Sequence, residues 1–590
     1  MTIKAVLLDA EEKQVSNNDV RVWLIKLKDV LYDAEDVLDE FECETQRKQL
    51  LKLYGSTTKK VGRFFSSSNP LAFSFKMGHK IKQIREQLDE IASHKAKFHL
   101  NERDEGRRSM PRERAMTHSF VNVSDVIGRD EDKENIIRLL QKPNDGGKID
   151  VIPIVGIGGL GKTALSKLVY NDKRVQNHFQ LKMWDYQYTS FGLIQFWMAH
   201  GLLESTNDNE DLEDIGWRYF QELGSRSFFQ DFEEEDWIIR CKMHDLVHDL
   251  ALSLTQNEFS TITSTTTQIS KSVRHLLFPD FTSLPHGLST LLQDLEHVRT
   301  ALFMRTEENS QSALDLCLSR LKYLRMLDLS QYKLDVPLER IGSLKHLRLL
   351  VLPEIKKVPN SIWKLQNLQS LLLGTEELPN DIRYLISLRF LLFSTKQKCL
   401  AKNGLGCLTS LRFLCIGGPE NLEYLCEDMQ GLKHLRTLII AKCESLISLP
   451  QSMKYLTALE TLHIEDCENL NLTMEEGKAD QDLARFSLQR LILRKLPELV
   501  EFPEWLLRGS NNTLQLLKLE SCRNLKELPA CLQNIVSLQQ IVIEDCDELS
   551  ERCERGKGED WSKIAHIPKI VLDGSEINST DDSHIDSTED

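Results

Sequence analysis

The sequence predicts a multidomain α plus α/β chain: a helical N-terminal bundle, a short α/β unit with a phosphate-binding loop, and a C-terminal leucine-rich-repeat solenoid. Three observations predict it. An L-x-x-L-x-L pattern recurs through the second half, from Leu324–Leu327–Leu329 to Leu538–Ile541–Ile543, at the roughly 20–29-residue spacing of such repeats. A buried-strand pattern, Val151 to Val155, runs directly into a glycine-rich loop ending in Lys162-Thr163. The first hundred residues carry apolar side chains at helical spacing, with no strand-like alternation.

Within the N-terminal segment, residues 1–100, Val20, Trp23, Leu24, Leu27, Val30, Leu31, Ala34, Val37, Leu38 and Phe41 mark one long amphipathic helix, and Ile81, Ile84, Leu88 and Ile91 a second. Residues 101–119 are charged, contain Pro111 and lack apolar periodicity, and so read as a linker.

The loop Gly156-Ile157-Gly158-Gly159-Leu160-Gly161-Lys162-Thr163, followed by the helix-like Ala164-Leu165-Ser166-Lys167-Leu168-Val169, is G-x-x-x-x-G-K-[ST] between a strand and a helix. Glycines let backbone N–H groups wrap a phosphate, and the helix N-terminus adds a favourable dipole. Lys162 is placed to reach the β- and γ-phosphates of a nucleotide, and the Thr163 hydroxyl to ligand Mg²⁺. Hydrolysis also needs an acidic residue closing a second hydrophobic strand. Onward from Thr163 the sequence contains no run of four aliphatics ending in Asp, and only about 80 residues remain before Met243, too few for a complete doubly wound sheet. The nucleotide-binding unit, 120–190, is therefore read as truncated, with ATP hydrolysis doubtful.

The repeats occupy 269–573, with weaker copies at Val273–Leu276–Phe278, Val298–Ala301–Phe303 and Ile567–Ile570–Leu572. One repeat is too small to bury its apolar side, so stacked parallel strands must share a core. Cys443, Cys467, Cys522 and Cys546 each lie three residues past the last apolar position of their strand and are expected to pack inward at the bend. Side chains flanking the middle leucine face the concave side. In the central repeats these are Leu349, Val351, Leu372, Phe390, Leu392, Phe413, Cys415 and Ile439. Such an apolar stripe is either a docking surface for a partner or another domain, or a set of residues that merely suits strands. The tail, 574–590, is rich in Ser, Thr and Asp and is expected to be disordered.

Composition excludes several classes. The formal net charge of −15 on 590 residues argues against nucleic-acid binding. The 13 cysteines are too dilute for a disulfide scaffold and form no zinc-type pairs. About 18 consecutive apolar residues are nowhere found, so no transmembrane helix is expected. A cytoplasmic location is the expectation, with peripheral membrane or nuclear pools compatible with it.

Taken together, these segments resemble plant intracellular immune receptors of the coiled-coil, nucleotide-binding (NB-ARC), leucine-rich-repeat family. Asp125-Val126-Ile127-Gly128-Arg129-Asp130-Glu131 is similar to the family's adenine-contacting entry segment, with Val126, Ile127 and Arg129 the implied contacts. Ala164 stands where a second Thr is common. Leu193 to Ala199 and Tyr219 to Gln230 resemble its winged-helix part, placed at 191–268, and Met243-His244-Asp245 its Met-His-Asp motif, in which the His senses the β-phosphate of ADP. The segment carrying the Mg²⁺-holding aspartates has no counterpart and looks deleted near Asp185–Phe191. Glu35-Asp36-Val37-Leu38-Asp39 resembles the acidic motif that contacts the repeats in this family. The resemblance implies an ADP/ATP switch, a pathogen effector or guarded host protein as partner, a contact between N-terminal helices and repeats, and oligomerisation on activation. The alternative is a non-enzymatic repeat protein (decoy, adaptor or non-functional truncated receptor) with no nucleotide cycle.

Overall fold

The computed structural model describes residues 17–54, 70–94, 128–140, 187–204, 210–235, 238–244 and, with gaps of which 474–485 is the longest, 247–578, besides scattered residues between 7 and 14 and between 154 and 175. The chain divides into two compact units, Met1–Gly106 together with Asn257–Asp590, and Arg107–Gln256. The N-terminal helices thus belong to one unit with the repeats.

Two long helices open the first unit, α1 (Asn18–Tyr54) and α2 (Pro70–His94). The Asn17 side-chain oxygen accepts the N–H groups of Asp19 and Val20 at 2.9 and 3.3 Å, satisfying donors that the first turn leaves open. Val20, Trp23, Leu27 and Val30, three or four residues apart on α1, close a core with Ile84, Leu88 and Ile91 of α2. The Trp23 indole donates to the Ile91 carbonyl at 3.0 Å, so its buried N–H is paired. Further along, Glu40 accepts from Lys76 at 3.0 Å and Lys80 at 2.6 Å. Burial raises the Glu40 carboxyl, but the two ammonium groups outweigh it and hold it below its ordinary range.

In the second unit α3 (Asp130–Leu140) begins with Asp130, Glu131 and Asp132, charges that suit a helix N-terminus. It packs Ile137 on Val169 and Val175. Strand β1 (Tyr188–Thr189) leads into α4 (Ser190–Ala199), then α5 (Leu212–Ser225) and the hairpin β2 (Phe229–Glu235) and β3 (Ile238–Met243). The sheet is antiparallel in the order β1-β3-β2. Thr189 caps α4 by accepting the Gly192 N–H at 3.1 Å. The two helices pack closely at Gly216, where an added Cβ would sit 2.6 Å from Ile194 Cγ2. Since β1 pairs with β3 and Ser190 opens α4, residues 188–190 belong with the helix–hairpin unit and not with the preceding segment, three residues ahead of the start expected at 191.

Asn257 onward rejoins the first unit. Its fifteen described strands are β4 (Phe259–Thr261), β5 (His275–Asp280), β6 (Thr300–Arg305), β7 (Met326–Asp328), β8 (Leu349–Ile355), β9 (Ser370–Thr375), β10 (Phe390–Thr395), β11 (Phe413–Gly417), β12 (Thr437–Ala441), β13 (Thr461–Glu465), β14 (Arg490–Arg494), β15 (Leu516–Glu520), β16 (Gln540–Glu544), β17 (Lys569–Leu572) and β18 (Ser575–Asn578). They form one sheet in sequence order, parallel from β4 to β17. The repeated leucines meet in register, as in Leu371↔Leu391 and Leu414↔Leu438, and merge into a single core. Phe278 and Phe303 stack in it with ring centroids 4.6 Å apart.

Two boundaries differ from expectation. The sheet starts at β4, upstream of residue 269, because Phe259–Thr261 adds edge hydrogen bonds to β5. Its last strand lies beyond 573. Asp573 and Gly574 both take positive φ, 45° and 79°, and turn the chain into β18, antiparallel to β17. An Asp-Gly pair suits a two-residue hairpin turn, so Ser575–Asn578 is ordered sheet despite its composition; residues 579–590 lie outside the described residues.

The bend after each late strand has a repeated chemistry. Lys442, Asp466, Lys495, Ser521 and Asp545 occupy the left-handed region at φ 50–56°. Next to four of them, Cys443, Cys467, Cys522 and Cys546 are buried, and each thiol lies 3.3–3.5 Å from the carbonyl oxygen two residues back. Their packing is inward, as the repeat pattern predicts.

Candidate functional site

An arginine recurs at one position of successive repeats, directly after the first leucine-type residue: Arg274, Arg299, Arg325 and Arg348. Because the strands are parallel and in register, these side chains form a ladder with a step of about 4.8 Å. Helix α1 lies along it. Arg274 pairs with Asp29, Arg299 with Asp36 at 2.5 Å, Arg325 with Glu35 at 3.0 Å and Asp39 at 3.3 Å, and Arg348 with Asp39 at 2.5 Å. Ten residues of helix, about 15 Å, cover three strand steps, about 14 Å. The two periods match, so carboxylates spaced along one helical face meet successive repeats.

The ladder is buried at its centre. Arg299 and Arg325 are 1 and 2% exposed, and Asp36 and Asp39 both 3%. Arg299 also donates to the Tyr32 and Tyr323 carbonyls at 3.2 and 3.3 Å, and its guanidinium lies over both rings. His346 Nδ1 lies 3.5 Å from Asp39, and Asn367 donates to the Asp39 carbonyl oxygen at 3.3 Å. Burial pushes the Asp39 carboxyl up, but the His346 hydrogen bond and the Arg348 and Arg325 charges outweigh it, bringing it down to about 2. Asp36, Asp39 and His346 lie close enough together to ligate a metal. Three guanidinium groups already neutralise the two carboxylates, so a divalent cation would add uncompensated charge, and the cluster is an ion-pair network.

The other residues singled out in the sequence are placed as follows. Gly156 through Ala164, Val126 and Ile127 lie outside the described residues. Arg129 sits at the start of α3 and pairs with Asp132 at 2.8 Å. His244 directly follows β3: its N–H donates to the Phe228 carbonyl at 2.9 Å, and its own carbonyl accepts from Val247 and His248 at 2.8 and 2.9 Å. It is half-buried at a strand-to-helix turn.

The stripe of apolar side chains is packed rather than open. Leu349, Phe390, Phe413 and Ile439 are buried, Val351, Leu372 and Leu392 half-buried, and none is exposed. Phe390 and Phe413, ladder partners on β10 and β11, stack with centroids 4.2 Å apart. One strand spacing is close to ring-stacking distance, so each large side chain shields the next. Burial pushes the Cys415 thiol beside them up to about 12, which makes it a packing group and not a nucleophile.

Comparison with known proteins agrees with this order of parts. Residues 1–77 match the Rx N-terminal domain, 129–215 the NB-ARC domain, 184–251 the winged helix domain of disease resistance proteins, and 297–527 a leucine-rich repeat region. These matches, in this order, support a plant resistance protein of the coiled-coil, NB-ARC, leucine-rich-repeat type. Disease resistance protein RGA2 of Solanum bulbocastanum is 37% identical over 184 residues, 31% of this chain and 18% of the relative. Putative disease resistance RPP13-like protein 1 of Arabidopsis thaliana is 37% identical over 207 residues, 33% of this chain and 19% of the relative. The chain thus spans less than a fifth of the length of these resistance proteins. Among solved structures, a leucine-rich-repeat protein of Leptospira interrogans is 17% identical with a TM-score of 0.34, over 51% of this chain and 78% of that one. The winged-helix match spans β1 to β3, and no described helix is long and apolar enough to cross a membrane. The sequence alone pointed to Asp36 and Asp39 but not to their partners; the signal was there in the arginine at a fixed repeat position.

Proposed function

We propose that the chain acts as a plant immune receptor, or its sensing part, whose repeats recognise a pathogen effector or a guarded host protein while holding the N-terminal helices in a resting arrangement. The observation that carries this reading is the docking of α1 carboxylates on the arginine ladder, a joint whose central charges are buried. Recognition that strains the repeats would act on a bistable element, since buried ion pairs are stable when matched and costly when one partner shifts. The half-buried edge of the apolar stripe, Val351, Leu372 and Leu392, is the part of it a partner would reach.

Gly156–Gly161, Lys162, Thr163 and Ala164 would hold the phosphates of ADP or ATP, with Val126, Ile127 and Arg129 toward the base and His244 toward the β-phosphate. The donor set suits a phosphate: backbone N–H groups freed by glycine, one ammonium and one hydroxyl. Thr163 would supply the Mg²⁺ ligand, and bound nucleotide would bias two packings of the domains. Nucleotide retained by the purified chain, and lost on Lys162→Ala with the fold unchanged by circular dichroism, is the expected result. Folded protein free of nucleotide would refute the switch. It would favour a repeat-based adaptor or decoy, a reading supported by the lack of an aliphatic strand ending in Asp between Thr163 and Met243.

A further inference from the structure

Past Arg348 the arginine ladder is interrupted once, by Gln369 at this position of the β9 repeat, and then resumes. The same repeat position carries Arg389, Arg412 and Arg436 on the repeats of β10, β11 and β12. The polar residue two positions before each arginine also recurs: His346 before Arg348, then Ser387, Ser410 and His434. Most telling, Lys345-His346-Leu347-Arg348, whose imidazole and guanidinium both lie on Asp39, is repeated residue for residue as Lys433-His434-Leu435-Arg436.

The two stretches differ in exposure. Under α1 the arginines and His346 are largely buried, whereas Arg389, Arg412 and Arg436 are half-buried and Lys433 and His434 exposed. Beside them a shallow depression of about 700 Å³ is lined by Glu427, Gln430, Lys433, Lys454 and Tyr455. Arg412 donates to the Ser410 carbonyl at 3.2 Å and Arg436 pairs with Glu460 at 2.9 Å, while each of the three arginines keeps part of its surface exposed.

We propose that the face formed by Arg389, Arg412 and Arg436 with Ser387, Ser410 and His434 is a second docking site, for an acidic amphipathic helix of a partner protein. Two strand steps, about 10 Å, correspond to about seven residues of helix. The ligand is therefore a helix with Asp or Glu at i, i+3 or i+4, and i+7 on one face. His434 and Arg436 would share one carboxylate as His346 and Arg348 share Asp39. Glu460 takes the arginine's place in the β13 repeat and disfavours longer acidic runs, which fixes the register.

The test uses the full chain, with α1 in place, and a fluorescent, hydrocarbon-stapled peptide of the sequence Lys26–Glu44 as probe, read by anisotropy. Binding should weaken at least tenfold in an Arg412→Glu, Arg436→Glu double variant, fall steeply with salt, and vanish for a peptide with Asn in place of its four aspartates. Circular dichroism and the melting temperature establish that the variant is folded. Should it misfold, Arg412→Gln with Arg436→Gln replaces it, with the same tenfold criterion. Equal binding to the folded variant, or equal binding of the Asn peptide, overturns the proposal. So does dimerisation of the chain that the peptide competes away, which would make the occupant a second copy. Dissociation of α1 from its own arginines as peptide binds, detected by cross-linking of Asp36 to the repeats, also overturns it.

Discussion

Replacing Asp39 by Asn tests the ladder directly. The residue stays the same size, but Arg325 and Arg348 lose the charge that both face. The Asp39 carboxyl is lowered from 3.8 to about 2, and at about 1.36 kcal/mol per unit its charged form contributes about 2.5 kcal/mol at neutral pH. Arg348 loses its carboxylate while Arg325 keeps Glu35 at 3.0 Å, so the cost rises toward about 3 kcal/mol, the low end for a broken buried pair. The sign follows from the depressed carboxyl: the contribution is complete above about pH 4 and is lost as pH falls through about 2. Hydrogen exchange of the α1 amides reads this local opening. At pH 7, protection around Asp39 should fall by about sixtyfold or more. The difference between the two proteins should shrink as pH is lowered from 4 to 2, once rates are corrected for intrinsic exchange. Equal protection at pH 7 would refute the claim that this ion-pair network holds the helix.

Two further substitutions probe the units separately. Gly216→Ala places a methyl 2.6 Å from Ile194 Cγ2 and should destabilise the helix–hairpin unit by about 1–3 kcal/mol, seen as a lower urea midpoint for the Trp197 and Trp217 fluorescence transition. Leu438→Ala opens a cavity in the fully buried core of β12 and should cost about 2–5 kcal/mol, read as a lower melting temperature by calorimetry with the near-neighbour repeats opening first in hydrogen exchange.

The solenoid was legible because its repeat is short and strict: the apolar positions of each L-x-x-L-x-L occupy the buried positions of the strands. The two helices were legible for the same reason, through their 3.6-residue period. Alternation failed where it was asked for more than direction. It puts Phe390 and Phe413 on one face but says nothing of the spacing that stacks them ring on ring. Composition misread Ser575–Asn578, since two backbone angles at Asp573-Gly574, and not hydrophobicity, decide that the strand forms. The ladder lies between these cases. Arg299 and Asp36 are 263 residues apart in sequence, and neither the arginine period nor the aspartate period points to the other until the strand step and the helical rise are compared.

The hairpin at Asp573-Gly574 bears on how the described sheet is closed at β17. A parallel stack of strands presents an unpaired row of N–H and C=O groups at its last member, and such an edge invites pairing with another chain. Here Ile570, Val571 and Leu572 of β17 are that row's side chains, and β18 lies across them with Ser575, Glu576 and Asn578 among its four residues. Reversing direction at the final step replaces an apolar templating edge with a short, polar one. Cutting the chain at Asp573 removes β18 and bares the β17 edge, and the expected outcome is concentration-dependent association in light scattering that the full chain lacks.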